Sequence, residues 1–407
     1  MGATRRHGAS VRRPFRSAPA ARAVVVAAVV LGLGGCSLVR QPEPPAVAGG
    51  SLALPGTFGY AVCPDAVTPI ELATGTPEAD IPLGLTGTPT PGDFAIAAST
   101  DGRWAYVVTT DGVSAAPAPG SSAPVTTGGA TTVPTVAGQN VVVPVDLVTQ
   151  RAEAPIDIPG SGPTHGIVVL PGGTTVLAAS GHTVVPVDVV HRRAGTPIDL
   201  GATHDVYGLA LNPAGTTAYA LVAGGVFPVD PARSTAGAPA ATGLAVSSVY
   251  SPHGIAVTAD GSTVYVIGQG GTDYGGRVLP VNAANGALGP GASFDKYGIA
   301  APAAVALAPD GHSLDVVDSA NNWVNPLPTA SFAAPPDPVR LPAGSTGGGH
   351  PTDIVLAPDG ATAYIVQGFD SVLPYTPATQ AFGRPIPVCT GASSMAVAPS
   401  PGGSAPS

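Results

Sequence analysis

Seven times along this chain a proline interrupts a valine-rich run, at Pro69, Pro144, Pro186, Pro228, Pro280, Pro326 and Pro374. Two of the runs are identical, VVPVD at Val142–Asp146 and again at Val184–Asp188. Proline has no amide hydrogen, so it removes a ladder bond from a strand unless that side of the strand is unpaired. From Pro144 onward the spacings are 42, 42, 52, 46 and 48 residues. A period of that size marks a repeated supersecondary unit that cannot bury its faces alone.

The context of each proline supplies the rest of the unit. A Gly/Pro-rich entry leads into an apolar strand that stops at a tight turn, as in FAIAASTDG (94–102), HGIVVLPGG (165–173), YGLALNPAG (207–215), HGIAVTADG (253–261), AAVALAPDG (303–311) and TDIVLAPDG (352–360). Asp-Gly or Gly-Gly after a strand is a strong hairpin signal. A second strand follows, usually led by tyrosine: WAYVVT (104–109), TAYALV (217–222), TVYVIG (263–268) and TAYIVQ (362–367). The proline strand is third, and a fourth reads APIDI (154–158), TPIDL (196–200) or RPIPV (384–388). Four short strands at this spacing form the blade of a β-propeller. The composition of 55 Gly and 47 Pro with 10% charged residues fits such a chain of short strands.

The two ends complete the count. SSMAVAPSPGG (393–403) is a first strand and turn with nothing after it, and FGYAVCPDAVTPIEL (58–72) is a second and third strand with nothing before them. Aligning Tyr60 with Tyr219 places Pro69 on Pro228. The fold class expected is therefore all-β, a seven-bladed propeller spanning 57–403, with six whole blades and one made from both termini. Each proline is expected to face the outermost strand, opposite a bulge or beyond its end, where no ladder bond is lost. The starts Tyr106-Val107, Tyr265-Val266 and Tyr364-Ile365 resemble the YVTN type of β-propeller repeat, although Thr109, Gly268 and Gln367 replace that family's terminal Asn.

The N-terminus reads as an address. Arg5, Arg6, Arg12, Arg13, Arg16 and Arg22 precede the apolar run Ala23–Leu33, which is short for a membrane span. Leu33-Gly34-Gly35-Cys36 resembles a bacterial lipobox, which implies lipidation of Cys36 and removal of residues 1–35. An ordinary cleaved signal with a chance cysteine is the other reading. Residues 36–56 are a Pro-rich tether and 404–407 a tail. The expected location is the outer face of the cytoplasmic membrane, with the lipid as membrane contact. After residue 35 the chain carries 10 Lys+Arg against 25 Asp+Glu, a net charge of −15 without a basic cluster, which argues against nucleic acid. A monomer is expected. Cys63 and Cys389 end strands that meet where the ring closes, so a disulfide there would lock it; two unpaired buried thiols are the alternative.

The strand order puts first-to-second and third-to-fourth turns on one face, where they are tight. The irregular sequence falls on the other face: an uncharged insert at 113–139, expected to be flexible, with GQGGTDYGG (268–276), ASFDKYG (292–298) and GSTGGGHPTD (344–353). Residues at the entries of the first strands are candidates for the channel mouth on that face: Phe94, His165, Tyr207, His253, Ala303, Thr352 and Ser393, with Asp93, His204, Asp205, Asp295, His350 and Asp353 nearby. A divalent metal held by His165 and His253 with Asp353 or His350 is one reading. The other, which the lack of local ligand spacing favours, is that these imidazoles hydrogen-bond loop carbonyls. The chain has neither a G-x-S-x-G elbow nor a phosphate loop. The expectation is a binding or scaffold module that meets a protein, glycan or small molecule on its long-loop face. The alternative is a lactonase-like or metal-dependent hydrolase working in the channel mouth.

Overall fold

The structure, a computed structural model, describes residues 56–87, 93–111, 138–201, 203–246, 254–270, 275–293, 301–330, 332, 337–342, 350–368 and 370–400. Cys36, His253, Asp295 and positions 113–137 of the insert lie outside them. The described residues are all-β and form seven antiparallel blades. Blades 1 to 6 run from 95 to 157, 167 to 199, 206 to 241, 255 to 293, 302 to 340 and 353 to 387. The composite blade joins Thr57–Val62 and Ala66–Glu71 to the C-terminal strand Ser394–Pro399, which pairs antiparallel with Thr57–Val62. Each blade's first strand abuts the first strand of the next, and the sequence of contacts returns to its start.

The prolines lie opposite the second strand's tyrosine column: Tyr60↔Pro69, Tyr106↔Pro144, Tyr219↔Pro228, Tyr265↔Pro280 and Tyr364↔Pro374. Their carbonyls turn the other way. The Pro144 carbonyl accepts from the Glu153 amide at 2.8 Å, and Pro69, Pro186, Pro228, Pro280 and Pro374 make the same bond. Because a residue's N and C=O point to the same neighbour in an antiparallel ladder, the missing N–H also faces the outer strand. There the outer strand is bulged. Val145 pairs with Ala152 and Val142 with Ile156, so three steps on the third strand match four on the outer one. The outer strand is thus not the single segment that APIDI suggests but two short pieces, Arg151–Ala152 and Ile156–Asp157, with the extra residue opposite the proline. The same offset recurs in the composite blade and in blades 2, 3 and 6.

Seven hydrophobic clusters hold the ring, and each straddles one junction between neighbouring blades. In blade 1, Tyr106 and Val108 face blade 2, while Ala105 and Val107 face the composite blade. Both sheet faces are covered, which is why the strands read as continuous apolar runs rather than as an alternation. Each fully buried valine of this kind stabilises by about 1.5–3 kcal/mol. The tyrosine hydroxyls cross the same junctions: Tyr106 donates to the Gly173 carbonyl at 3.2 Å and Tyr364 to that of Leu72 at 3.5 Å. On the tight-turn face, Gly102 (φ 68°) and Gly215 (φ 70°) lie so close to Pro399 and Pro171 of the preceding blades that a Cβ would collide.

Cys63 and Cys389 form a disulfide across the junction of blade 6 and the composite blade, with a Cα–Cα distance of 6.1 Å and a sequence separation of 326. Two hairpins run further than their sequence suggests. In blade 1 Asp111 pairs with Gln139, so Gln139 belongs to the third strand and not to the insert. In blade 4 Gly270 pairs with Gly275, which makes most of GQGGTDYGG strand rather than loop.

Two stability measurements follow from this register. Pro144→Val is expected to change unfolding free energy by less than about 1 kcal/mol, since the restored amide faces the bulge. Val143→Pro, one residue earlier, is expected to cost about 1–3 kcal/mol by deleting a real ladder bond and leaving its acceptor unsatisfied; equal losses for the two variants in urea unfolding would contradict the register. Cys63→Ser/Cys389→Ser is expected to lower stability, with the chain-entropy model setting a ceiling of about 5 kcal/mol. An unchanged melting temperature would show that strand pairing alone closes the ring.

Candidate functional site

The first strands of all seven blades surround a central cavity of about 170 Å³. Its wall is mainly small and aliphatic, as in Ala95, Ile167, Gly208, Ile255 and Val305, and among the described residues Asp353 is the one ionisable side chain in it. Small residues are needed where inner strands crowd together: a Cβ on Gly166 would lie 2.9 Å from the Leu209 amide nitrogen. Asp353 is 3% exposed, and its two carboxylate oxygens accept from the Ile354 amide at 2.8 Å and the Met395 amide at 2.9 Å. It therefore staples blade 6 to the C-terminal strand of the composite blade. That bond is a second lock at the ring closure.

The candidate mouth residues divide by environment. Phe94, expected at the mouth, instead packs with 1% exposure into the cluster between the composite blade and blade 1. A phenyl ring gains more from that dry junction than from a narrow channel. His165 has no exposed surface; its Nε2 lies 3.7 Å from the Asp93 carboxylate, and its ring stacks on Tyr207 with centroids 6.0 Å apart. The Thr164 hydroxyl donates to the Asp93 carbonyl at 2.6 Å. The entries of blades 1, 2 and 3 are thereby bound into one cluster of Asp93, Thr164, His165 and Tyr207. His350 is exposed, with Nδ1 3.0 Å from the Ser319 carbonyl, and Thr352 is half-buried beside Asp353. Ser393 and Ala303 are buried, while His204 is exposed. Among the described residues no three His, Cys, Asp or Glu side chains gather in a metal-binding group.

Polar side chains at this end of the blades hold loops rather than ligands. Asn140 Nδ2 donates to the Gly162 carbonyl at 3.1 Å and to Ser180 Oγ at 2.9 Å, and Ser180 Oγ donates to the Pro159 carbonyl at 2.9 Å. The Asp318 carboxylate accepts from the amides of Ala301, Ala320 and Asn321. Gln367 Nε2 donates to the Pro342 carbonyl at 2.6 Å. The long-loop face thus rests on a buttressed frame, the arrangement in which loop variation serves recognition.

Neither a family model nor a curated protein sequence matches this chain. It is similar in fold to a solved propeller. That structure, hydrazine synthase of Kuenenia stuttgartiensis, superposes with a TM-score of 0.58 at 18% identity, over 78% of this chain and 92% of that one. At that identity the likeness is one of fold alone.

The carboxyl most displaced from its ordinary range lies away from the channel. Asp315 occupies, in blade 5, the position that tyrosine holds in five other blades, opposite Pro326. It is 4% exposed, and burial raises its pKa to about 7. Burial first, and then the charge of Asp315, push up the Tyr375 phenol of blade 6, whose hydroxyl is buried without a hydrogen-bond partner among the described residues. SLDVVD already shows this in sequence, because aspartate breaks the tyrosine column there. The folded pKa exceeds that of the unfolded chain, so the folded state binds the extra proton. Stability should be full below about pH 4, fall as pH rises towards about 7, and level off above. Asp315→Asn is expected to flatten that slope and to exceed the parent in stability at pH 8, as read by urea unfolding across pH; an unchanged slope would contradict the assignment.

Proposed function

We propose that this protein is an exported, lipid-anchored propeller of the YVTN type, acting as a binding or scaffold module through its long-loop face. The observation that carries this reading is the channel wall. Among the described residues it offers aliphatic side chains and backbone, and the one carboxylate among them, Asp353, is engaged by two backbone amides. A hydrolytic centre needs a reachable base and a polarising group around one point. Among the described residues the one imidazole–carboxylate pair at the entries, His165 with Asp93, has its imidazole fully buried and built into blade packing. The Cys63–Cys389 disulfide fits an extracytoplasmic location. Among the described residues no helix is long and apolar enough to cross a membrane; the proposed anchor, Cys36, rests on its lipobox-like context Leu33-Gly34-Gly35-Cys36.

The reading makes the two ends of the propeller unequal. Photo-crosslinking side chains placed at Thr110 or Gln139, at the loop-face end of blade 1, are expected to capture a partner in intact cells, whereas the same group at Thr149 on the tight-turn face is not. Equal capture from both faces would contradict a loop-face binder. His165→Ala is expected to lower stability by about 1–3 kcal/mol without changing the metal content of the purified protein. Stoichiometric metal lost with that substitution would favour the hydrolase instead.

A further inference from the structure

The tight-turn face, opposite the proposed binding face, is divided by charge. Of the ten arginines and lysines that follow residue 35, five sit in the tight turns of blades 1 to 3 or open the strand that follows them: Arg103, Arg151, Arg192, Arg193 and Arg233. The corresponding turns of blades 4 to 6 carry Asp260, Asp310 and Asp359 and neither arginine nor lysine. All five arginines are exposed, in a chain whose net charge after residue 35 is −15. The acids among them are drawn inward. Asp146, Asp188 and Asp230 each accept two amides of their own turn, and Asp101 accepts from the Ser99 hydroxyl and the Arg103 amide. Two of the arginines are themselves paired, Arg192 with Glu153 at 2.6 Å and Arg233 with Asp230 at 2.5 Å, so Arg103, Arg151 and Arg193 are the ones that make no ion pair among the described residues.

A second observation falls on the same side. Val148 and Val190, 58% and 63% exposed, are the most exposed large hydrophobic side chains among the described residues. They occupy equivalent turn tips in blades 1 and 2, two residues after Asp146 and Asp188, where the other blades have alanine. A third observation is where the chain enters. The second strand of the composite blade starts at Thr57, on the tight-turn side, so the segment preceding it joins the ring at this face, next to blade 1.

We propose that the tight turns of blades 1 to 3 form a membrane-facing surface that rests on anionic lipid, with Val148 and Val190 at the headgroup boundary. Arginines and exposed aliphatic tips together are what an interfacial surface requires, and each basic residue near an anionic bilayer adds on the order of fivefold in affinity. A tether that joins this face would hold it down and turn the long-loop face outward. The proposal rests on the anchored reading only for its setting, and the test separates the two.

The test uses the chain from Ser37 onward, which lacks the lipidation site; the ring closes within Thr57–Pro399 by its own strand pairs and disulfide, so its fold does not depend on what precedes it. Co-sedimentation with vesicles of phosphatidylglycerol and phosphatidylethanolamine is compared with phosphatidylcholine vesicles. Binding to the anionic vesicles alone is expected, and it should be lost in 0.5 M salt, where screening shortens to a few ångströms. Arg103→Ser/Arg151→Ser/Arg193→Ser should weaken it on the order of a hundredfold, and Val148→Asp/Val190→Asp should also weaken it. Arg340→Ser, at the loop-face end of blade 5, should leave it unchanged. Circular dichroism of each variant confirms the fold. Absence of binding, equal binding to neutral vesicles, or a triple variant that binds like the parent would overturn the proposal, whatever palmitate labelling at Cys36 shows.

Discussion

The ring depends on one strand pairing. Ser394–Pro399 completes a blade whose other strands come from the opposite end of the chain, and without it the junctions on both sides of the composite blade would face water. A repeat array that stays open needs polar caps on its terminal units. Among the described residues there is no such cap, because Thr57–Val62 and Ser394–Pro399 are each other's neighbours. Three separate contacts reinforce the closure: the Cys63–Cys389 disulfide, the Asp353 carboxylate on the Met395 amide, and the Thr68 hydroxyl accepting from the Cys389 amide at 3.1 Å. All three join blade 6 to the composite blade, where the chain's last turn of the ring is made.

Closure also explains the composition. Once the ring is shut, every sheet face is a junction, so strands can be valine-rich on both sides without exposing an apolar surface. The edge strands remain the hazard, since an unpaired row of amides and carbonyls invites another chain. Here each described outer strand is cut short, and in five blades a bulge splits it into pieces of two residues. The repeated proline is the inner partner of that bulge. It keeps an amide from being left unmatched there, and it costs nothing on the side that faces the tyrosine column.

Much of this was legible in the sequence because proline, tyrosine and Asp-Gly each have a local physical requirement that recurs at fixed spacing. Those requirements fix blade number, strand order and the meeting of the termini. What was not legible depends on neighbours that no local rule sees. Phe94 aligns with channel-entry positions yet turns into a blade junction, since a large ring gains more burial there. Gly275 and Gly276 read as loop but are strand, held by Gly270 and Gln269 across the hairpin. Asp353 reads as a candidate metal ligand, and only the closed ring brings the Met395 amide to it. The Asp93–His165–Tyr207 cluster is of the same kind, assembled from three blades' entries.

The two ends of the propeller follow different rules. First-to-second turns carry glycine at positive φ, as at Gly102, Gly215 and Gly261, whereas third-to-fourth turns put Gln150, Arg192, Ser234 and Gln380 there, each turn held by its own local caps. Loops at the other end vary in length over a fixed polar frame, which is where recognition has room to differ. The central claim beneath all of this is that the termini form one blade. Native-state amide hydrogen exchange of Thr57–Val62 and Ser394–Pro399 tests it most directly. Hydrogen-bonded amides in both segments should exchange only with global unfolding, as slowly as those of Val141–Val145 in blade 1. Fast exchange of either segment, like that of a frayed chain end, would contradict a closed seven-bladed ring.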